Sequence, residues 1–158
     1  MSDMKTYQKP VGCAIKDPAK QSMMLSALYI AQEQRGYLTK EAISQVARRL
    51  GISEGEVYST ASFYTLFRMK PVGRNVIQVC EGLSCYLNDG AERVVEYVSA
   101  KLGIKPGETT SDGMFTLETV QCLAACGTAP AMRVNDQLYE NLTPASIDDI
   151  LERYKGEV

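Results

Sequence analysis

The stretch Asn75-Val76-Ile77-Gln78-Val79-Cys80-Glu81-Gly82-Leu83-Ser84-Cys85 decides how this chain is read. Asn75 to Val79 is a short β-prone segment that runs directly into Cys80. A second strand is expected from about Met114 to Val120, and it leads in the same way into Cys122. Between the two, Asn88 to Leu102 reads as a helix with Val94, Val95, Val98 and Leu102 on one side, ended by Gly103. If the strands are parallel neighbours joined by that crossover helix, their C-terminal ends share one edge of a sheet. The loops that follow them then meet, and they carry four cysteines as Cys80-x4-Cys85 and Cys122-x3-Cys126. Two loops offering two thiolates each make a four-sulfur cage.

Working outward, Ala131 to Val134 and Gln137 to Asn141 flank Asn135-Asp136 and form a hairpin candidate. Thr143-Pro144 caps a last helix with Ile147, Ile150, Leu151 and Tyr154 at helical spacing. Upstream, Lys70-Pro71-Val72-Gly73-Arg74 has the composition of a linker. Before it lie three expected helices. Asp17-Pro18 starts the first, which runs through Met24, Leu28 and Ala31 to near Gly36. The second places Ile43, Val46, Ala47 and Leu50 on one face before Gly51. Ser53 and Glu56 fit a capping box that opens the third, expected to reach about Met69. Its Tyr58, Phe63, Tyr64 and Phe67 cover more than half the circumference. Such a helix is either buried by both neighbours or turns an aromatic side to a partner protein. The expected fold class is α+β, an α/β domain over residues 71–158 preceded by an all-α three-helix bundle over 18–70. Residues 1–17 form an N-terminal arm.

Composition narrows the chemistry. The chain has 158 residues, a net charge of -2, 45% hydrophobic residues and no histidine. Serine- or cysteine-histidine nucleophilic pairs, and histidine-ligated zinc, haem or Rieske-type sites, are therefore excluded. No basic cluster invites nucleic acid, and no apolar run is long enough to cross a bilayer, so neither nucleic acid nor direct membrane insertion is expected. The polar first ten residues show no secretory signal. Five cysteines cannot all pair, and a reducing compartment fits them better as thiols or metal ligands. Cys13 stands apart as a spare thiol.

Zinc in all-cysteine sites favours C-x2-C knuckles, and thioredoxin-type redox chemistry needs Cys-x-x-Cys; both spacings are absent. A 2Fe-2S cluster needs four thiolates, two per iron, on wider loops. On spacing, iron–sulfur stands ahead of zinc, and unligated core thiols stand behind both. The small residues Gly82, Ser84, Gly127 and Thr128 let backbone N–H groups approach sulfur, although turn chemistry alone would ask for the same residues. Residues 75–92 hold Glu81, Asp89 and Glu92, residues 106–132 hold Glu108, Asp112 and Glu118, and neither stretch has a lysine or arginine. That acidity disfavours adding an electron, so a low-potential centre is expected, against which a clearly positive midpoint would count.

Cys80-x4-Cys85 with Cys122-Leu-Ala-Ala-Cys126-Gly-Thr-Ala-Pro130 resembles the thioredoxin-like 2Fe-2S ferredoxins, whose order of strands and helices the second half shares. Leu28-Tyr-Ile-Ala-Gln-Glu33, Gly36-Tyr-Leu38 and Ala61-Ser-Phe-Tyr-Thr-Leu-Phe67 extend the match upstream. Together they are similar to the 2Fe-2S subunits of NADH:quinone oxidoreductase, respiratory complex I, of the NADH dehydrogenase flavoprotein 2 type. The resemblance implies that Cys80, Cys85, Cys122 and Cys126 ligate one 2Fe-2S cluster. It implies a larger partner subunit carrying FMN, the NADH site and a 4Fe-4S cluster, with which this chain exchanges one electron off the main path. NADH and quinone would not bind here, and no complete active site would lie on this chain alone. The place implied is cytoplasmic, peripheral to the inner membrane, or on the matrix side in a mitochondrion. Tyr58, Phe63 and Phe67 become interface candidates, and Ala129-Pro130 becomes a candidate cis bond. Competing readings are the equivalent subunit of an NAD-reducing hydrogenase or NAD-dependent formate dehydrogenase, a zinc-stabilised structural interaction module, and a thiol–disulfide oxidoreductase.

Overall fold

The structure is a computed structural model that describes residues 18–88 and 90–156. Asp17, Cys13 and the N-terminal arm lie outside the described residues. The chain divides into two compact units, residues 1–70 and 71–158.

In the first unit the helices are α1 (Pro18–Ser22), α2 (Met24–Glu33), α3 (Lys40–Leu50) and α4 (Glu54–Phe63). Where one helix was expected from Pro18, there are two, parted at Met23. Ser22 Oγ donates to the Ala19 carbonyl at 2.7 Å, a back-bond that competes with the helical ladder just before the break. Thr39 caps α3 by accepting from Ala42 N–H, and Gly51 ends it at φ +63°, the left-handed position that glycine adopts without a Cβ penalty. The Ser53–Glu56 capping box is formed on both arms. Met24, Leu28, Leu38, Ile43, Val46, Ala47, Leu50, Val57, Ala61 and Phe67 make the core of this unit.

α4 stops at Phe63, six residues before the expected end. The buried Gln32 side chain explains what replaces the helix. Its Nε2 donates to the Leu66 carbonyl at 3.0 Å and its Oε1 accepts from Arg68 N–H at 2.6 Å. Leu38 N–H also donates to the Arg68 carbonyl at 2.7 Å. The 64–69 segment thus spends its backbone groups on α2 and the α2–α3 turn, not on another helical turn. Phe67 is consequently buried at 6% exposure, whereas Tyr58 at 56% and Phe63 at 78% stand in the open. Phe67 is a core residue and is withdrawn from the interface candidates.

The second unit holds β1 (Asn75–Cys80), α5 (Leu83–Leu87), α6 (Ala91–Leu102), β2 (Phe115–Val120), a 3-10 turn at Cys126–Thr128, β3 (Met132–Val134), β4 (Gln137–Tyr139) and α7 (Pro144–Gly156). The sheet order is β2-β1-β3-β4, with β1 parallel to β2 and antiparallel to β3. The expected hairpin is present, its turn made by Asn135 at φ +53° and Asp136. Ile77, Val79, Phe115, Leu117, Met132 and Val134 line one face and pack with Val94 and Val98 of α6 and Ile147, Ile150 and Leu151 of α7. Thr143 accepts from Ser146 N–H at 3.2 Å to start α7. Tyr97 and Lys101 of α6 both donate to Asp148 of α7, and the carboxyl is held below its ordinary value chiefly by the Lys101 hydrogen bond.

The helix expected over 88–102 begins only at Ala91, and a short helix that the periodicity did not announce, α5, precedes it. Gly90 separates them. Its N–H donates to the Cys85 carbonyl at 3.1 Å, and a Cβ added to it would fall 2.3 Å from Pro130 Cβ. The Ala129–Pro130 peptide bond is cis.

Two substitutions check this packing. Gly90→Ala should lower stability by about 1–3 kcal/mol, because neither the backbone nor a proline ring can move cheaply aside. Gln32→Ala should cost about 1–3 kcal/mol by stranding the Leu66 carbonyl and Arg68 amide. Urea unfolding gives both magnitudes, and hydrogen exchange should locate the second loss at residues 64–69.

Candidate metal centre

The parallel register pairs Cys80 with Val120, so β1 and β2 end at the same level of the sheet. Glu81 N–H donates to the Val120 carbonyl at 2.8 Å and Cys80 N–H to the Ala131 carbonyl at 3.1 Å, which ties the end of β1 to both neighbouring segments. Cys80 is thus the last residue of a central strand. Cys85 lies on the helix α5, not in the open loop expected from sequence. Both are buried, with 4% and 2% exposure, and they pack with Ala91, Leu123 and Ala129. Cys122 and Cys126 are exposed on the segment after β2, Cys126 opening the 3-10 turn.

Two contacts join the cysteine-bearing segments. Ser84 Oγ donates to the Cys126 carbonyl at 2.9 Å. Gly82 sits so close to the second segment that an added Cβ would be 3.1 Å from the Gln121 carbonyl oxygen and 3.4 Å from Cys80 Sγ. The close approach expected of a small residue at Gly82 is therefore a property of the fold. Ala124 adopts φ +59°, an uncommon left-handed conformation for a residue with a Cβ, and its N–H donates to Cys122 Sγ at 3.2 Å.

Burial pushes the Cys85 thiol above its ordinary value, the Cys80 sulfur adds to this through a hydrogen bond, and charge on Cys80 or Cys126 would raise it further. The sulfurs of Cys80 and Cys126 thus both act on the Cys85 thiol. A buried thiol such as Cys85 resists ionisation unless positive charge is placed beside it, which is what iron would supply. Among the described residues, no three cysteine or carboxylate side chains converge as on a single metal ion. A dinuclear cluster makes a different demand, two thiolates to each iron. The donor set, the glycine cradle and the N–H aimed at sulfur fit a 2Fe-2S group.

Sequence reasoning did not find α5, nor the exposed Leu83, Tyr86 and Leu87 that it sets beside Cys85. It also passed over Gln78, whose polar side chain is buried between apolar neighbours in β1. That break in a run from Val76 to Cys80 was the available signal.

Several known proteins are similar to this chain. The second E subunit of the NADH-quinone oxidoreductase of Rhizobium meliloti (strain 1021) is 43% identical over 143 residues, which cover 90% of this chain and 84% of the relative. The E subunit of the NADH-quinone oxidoreductase of Escherichia coli (strain K12) is 41% identical over 140 residues, covering 89% and 82%. Among solved structures, the air-oxidized NAD+-reducing [NiFe]-hydrogenase matches with a TM-score of 0.75 and 25% identity over 86% of this chain, which spans only 23% of the hydrogenase chain. The sequence model of the thioredoxin-like [2Fe-2S] ferredoxins matches residues 13–155, helical unit included, and the chain belongs to that family.

Proposed function

We propose that this chain is the electron-transfer subunit of an NADH:quinone oxidoreductase. In this reading Cys80, Cys85, Cys122 and Cys126 hold one 2Fe-2S cluster, which exchanges a single electron with FMN of a partner flavoprotein subunit. The observation that carries it is the meeting of the two cysteine-bearing segments at the shared end of β1 and β2. Similarity across both units to relatives that are parts of NADH-quinone oxidoreductases supports the host assembly. When bound, the cluster supplies one-electron chemistry with no bond made or broken in the protein.

The chain's own residues do the holding. Cys80 and Cys85 offer sulfur from the buried end of β1 and from α5, while Cys122 and Cys126 offer it from the exposed segment. Ala124 N–H offsets charge on Cys122, and Ser84 keeps the two segments together. Residues 71–158 form the cluster domain and residues 18–70 a helical domain, with Tyr58 and Phe63 as its contacts to the partner. FMN, NADH and a 4Fe-4S cluster belong to that partner, and the complete active site is assembled only with it. None of the described helices is long and apolar enough to cross a membrane. The chain works on the cytoplasmic (or matrix) side through its complex. The likeness to the NAD+-reducing hydrogenase favours one second reading, the equivalent subunit of such an enzyme.

Purified anaerobically, the protein should contain two irons and show visible bands that bleach with dithionite, with an S = 1/2 EPR signal appearing. Serine at any of Cys80, Cys85, Cys122 or Cys126 should cut iron content or change the g-values. Cys13→Ser should leave both as they are. A colourless wild-type protein holding zinc would overturn the electron-transfer reading in favour of a structural module.

A further inference from the structure

Side chains alternate along β1, so Gln78 and Cys80 point to the same face, opposite the one packed by α6 and α7. Glu118 of β2 and Arg133 of β3 are the register partners of Gln78 on either side. They are also the only acidic and the only basic residue in β1, β2 and β3. The Gln78 amide stands between them. Its Nε2 donates to Glu118 Oε2 at 2.9 Å, and its Oε1 accepts from Arg133 Nε at 3.0 Å and from a second guanidinium nitrogen. The amide dipole is thereby aligned, oxygen to the cation and NH2 to the anion. Gln78 is 7% exposed, and Glu118 and Arg133 are each partly buried.

Residue Gln78 lies two positions before Cys80, about 7 Å along the strand, and the neighbouring strands lie about 5 Å to each side. The strand positions that carry one positive and one negative residue are therefore within a Debye length (~10 Å) of Cys80, and both side chains are partly buried, where screening is weaker than in open water. The stretches that carry the four cysteines contain no lysine or arginine of their own between 75 and 92 or between 106 and 132.

We propose that the Glu118–Gln78–Arg133 network sets the reduction potential of the group held at Cys80, Arg133 favouring the added electron and Glu118 opposing it. These are positioning residues, acting through charge and not through contact with iron. The proposal rests on the four-cysteine reading above. The step concerned is one electron taken up by the oxidised cluster from a reductant, the reduced flavin of the partner in the complex or dithionite in the test. No proton and no covalent bond is involved. Gln78 serves by holding both charges at fixed positions, so that neither side chain swings away when the cluster charge changes from -2 to -3.

The test is an EPR-monitored redox titration of the full-length iron-loaded chain at one pH and ionic strength, with iron content measured alongside. At the wild-type midpoint, the reduced fraction should fall below half in Arg133→Gln and rise above half in Glu118→Gln. Arg133→Lys keeps the charge and should stay nearer to wild type than Arg133→Gln does. Shifts of the same sign, or no shift in loaded variants, would overturn the proposal while leaving the cluster assignment intact. If Arg133→Gln does not load iron, Glu118→Gln and Arg133→Lys decide by the same criteria. Absence of iron from the wild-type protein would instead remove the four-cysteine reading, and this inference with it.

Discussion

The parallel pairing of β1 with β2 is the constraint on which the rest of the second unit depends. Its register, Ile77 on Leu117 and Cys80 on Val120, is set by the apolar face rather than by the cysteines. Burying a side chain such as Ile77 or Leu117 contributes about 1.5–3 kcal/mol. A slip of one residue would turn Ile77 and Val79 away from α6 and α7 and bring Gln78 into their place. The same slip would swing Cys80 to the opposite face. The core therefore chooses the register, and the register places the sulfur. The crossover through α6 is what allows two parallel strands separated by so much sequence to end side by side.

The two cysteine pairs are held by different means. Cys80 and Cys85 take their positions from a central strand and a short helix, both buried at those residues. Cys122 and Cys126 depend on an exposed segment that has little regular structure. There the fixing is done by single contacts, Ser84 to the Cys126 carbonyl and Ala124 N–H to Cys122. The left-handed backbone at Ala124, costing on the order of 1 kcal/mol for a residue with a Cβ, is tolerated where it aims an N–H at sulfur. Gly90 closes the other side, since only a residue without a side chain fits beneath Pro130. Small residues at these points reflect close approach, not merely turn propensity.

Much of this was legible in the sequence because periodicity and caps state it locally. The strands at Asn75 and Phe115, the hairpin around Asn135, the Ser53–Glu56 box and the α7 start each have a signal within a few residues. The parallel pairing of the two strands entered the sequence reading as a condition, suggested by the helix between them, and the register meets that condition. What was missed is non-local or too short to be periodic. Five residues of α5 make little more than one turn, and nothing in their pattern separates helix from loop. The early end of α4 depends on Gln32, thirty-odd residues upstream in sequence, and a helical pattern cannot see that competitor. Phe67 therefore counted as part of an aromatic surface when it is part of a core.

The absence of histidine gives the electrostatics of the site a particular form. No side chain in the chain has an ordinary pKa between about 5 and 8, so charge near the sulfurs cannot be adjusted by an imidazole. The buried Cys85 thiol, which burial and the neighbouring Cys80 push above its ordinary value, needs compensation that is present at all times if it is to ionise. Backbone N–H groups supply part of it, at fixed distance and without a titrating proton. The fixed side-chain charges on the face of the sheet that carries Cys80 are one carboxylate and one guanidinium joined through a single amide. A pair of opposite charges held rigidly leaves the net charge of the strand end unchanged while giving the local field a direction. In a protein whose chemistry is the gain and loss of one electron, that direction is a physical quantity the strand register can encode.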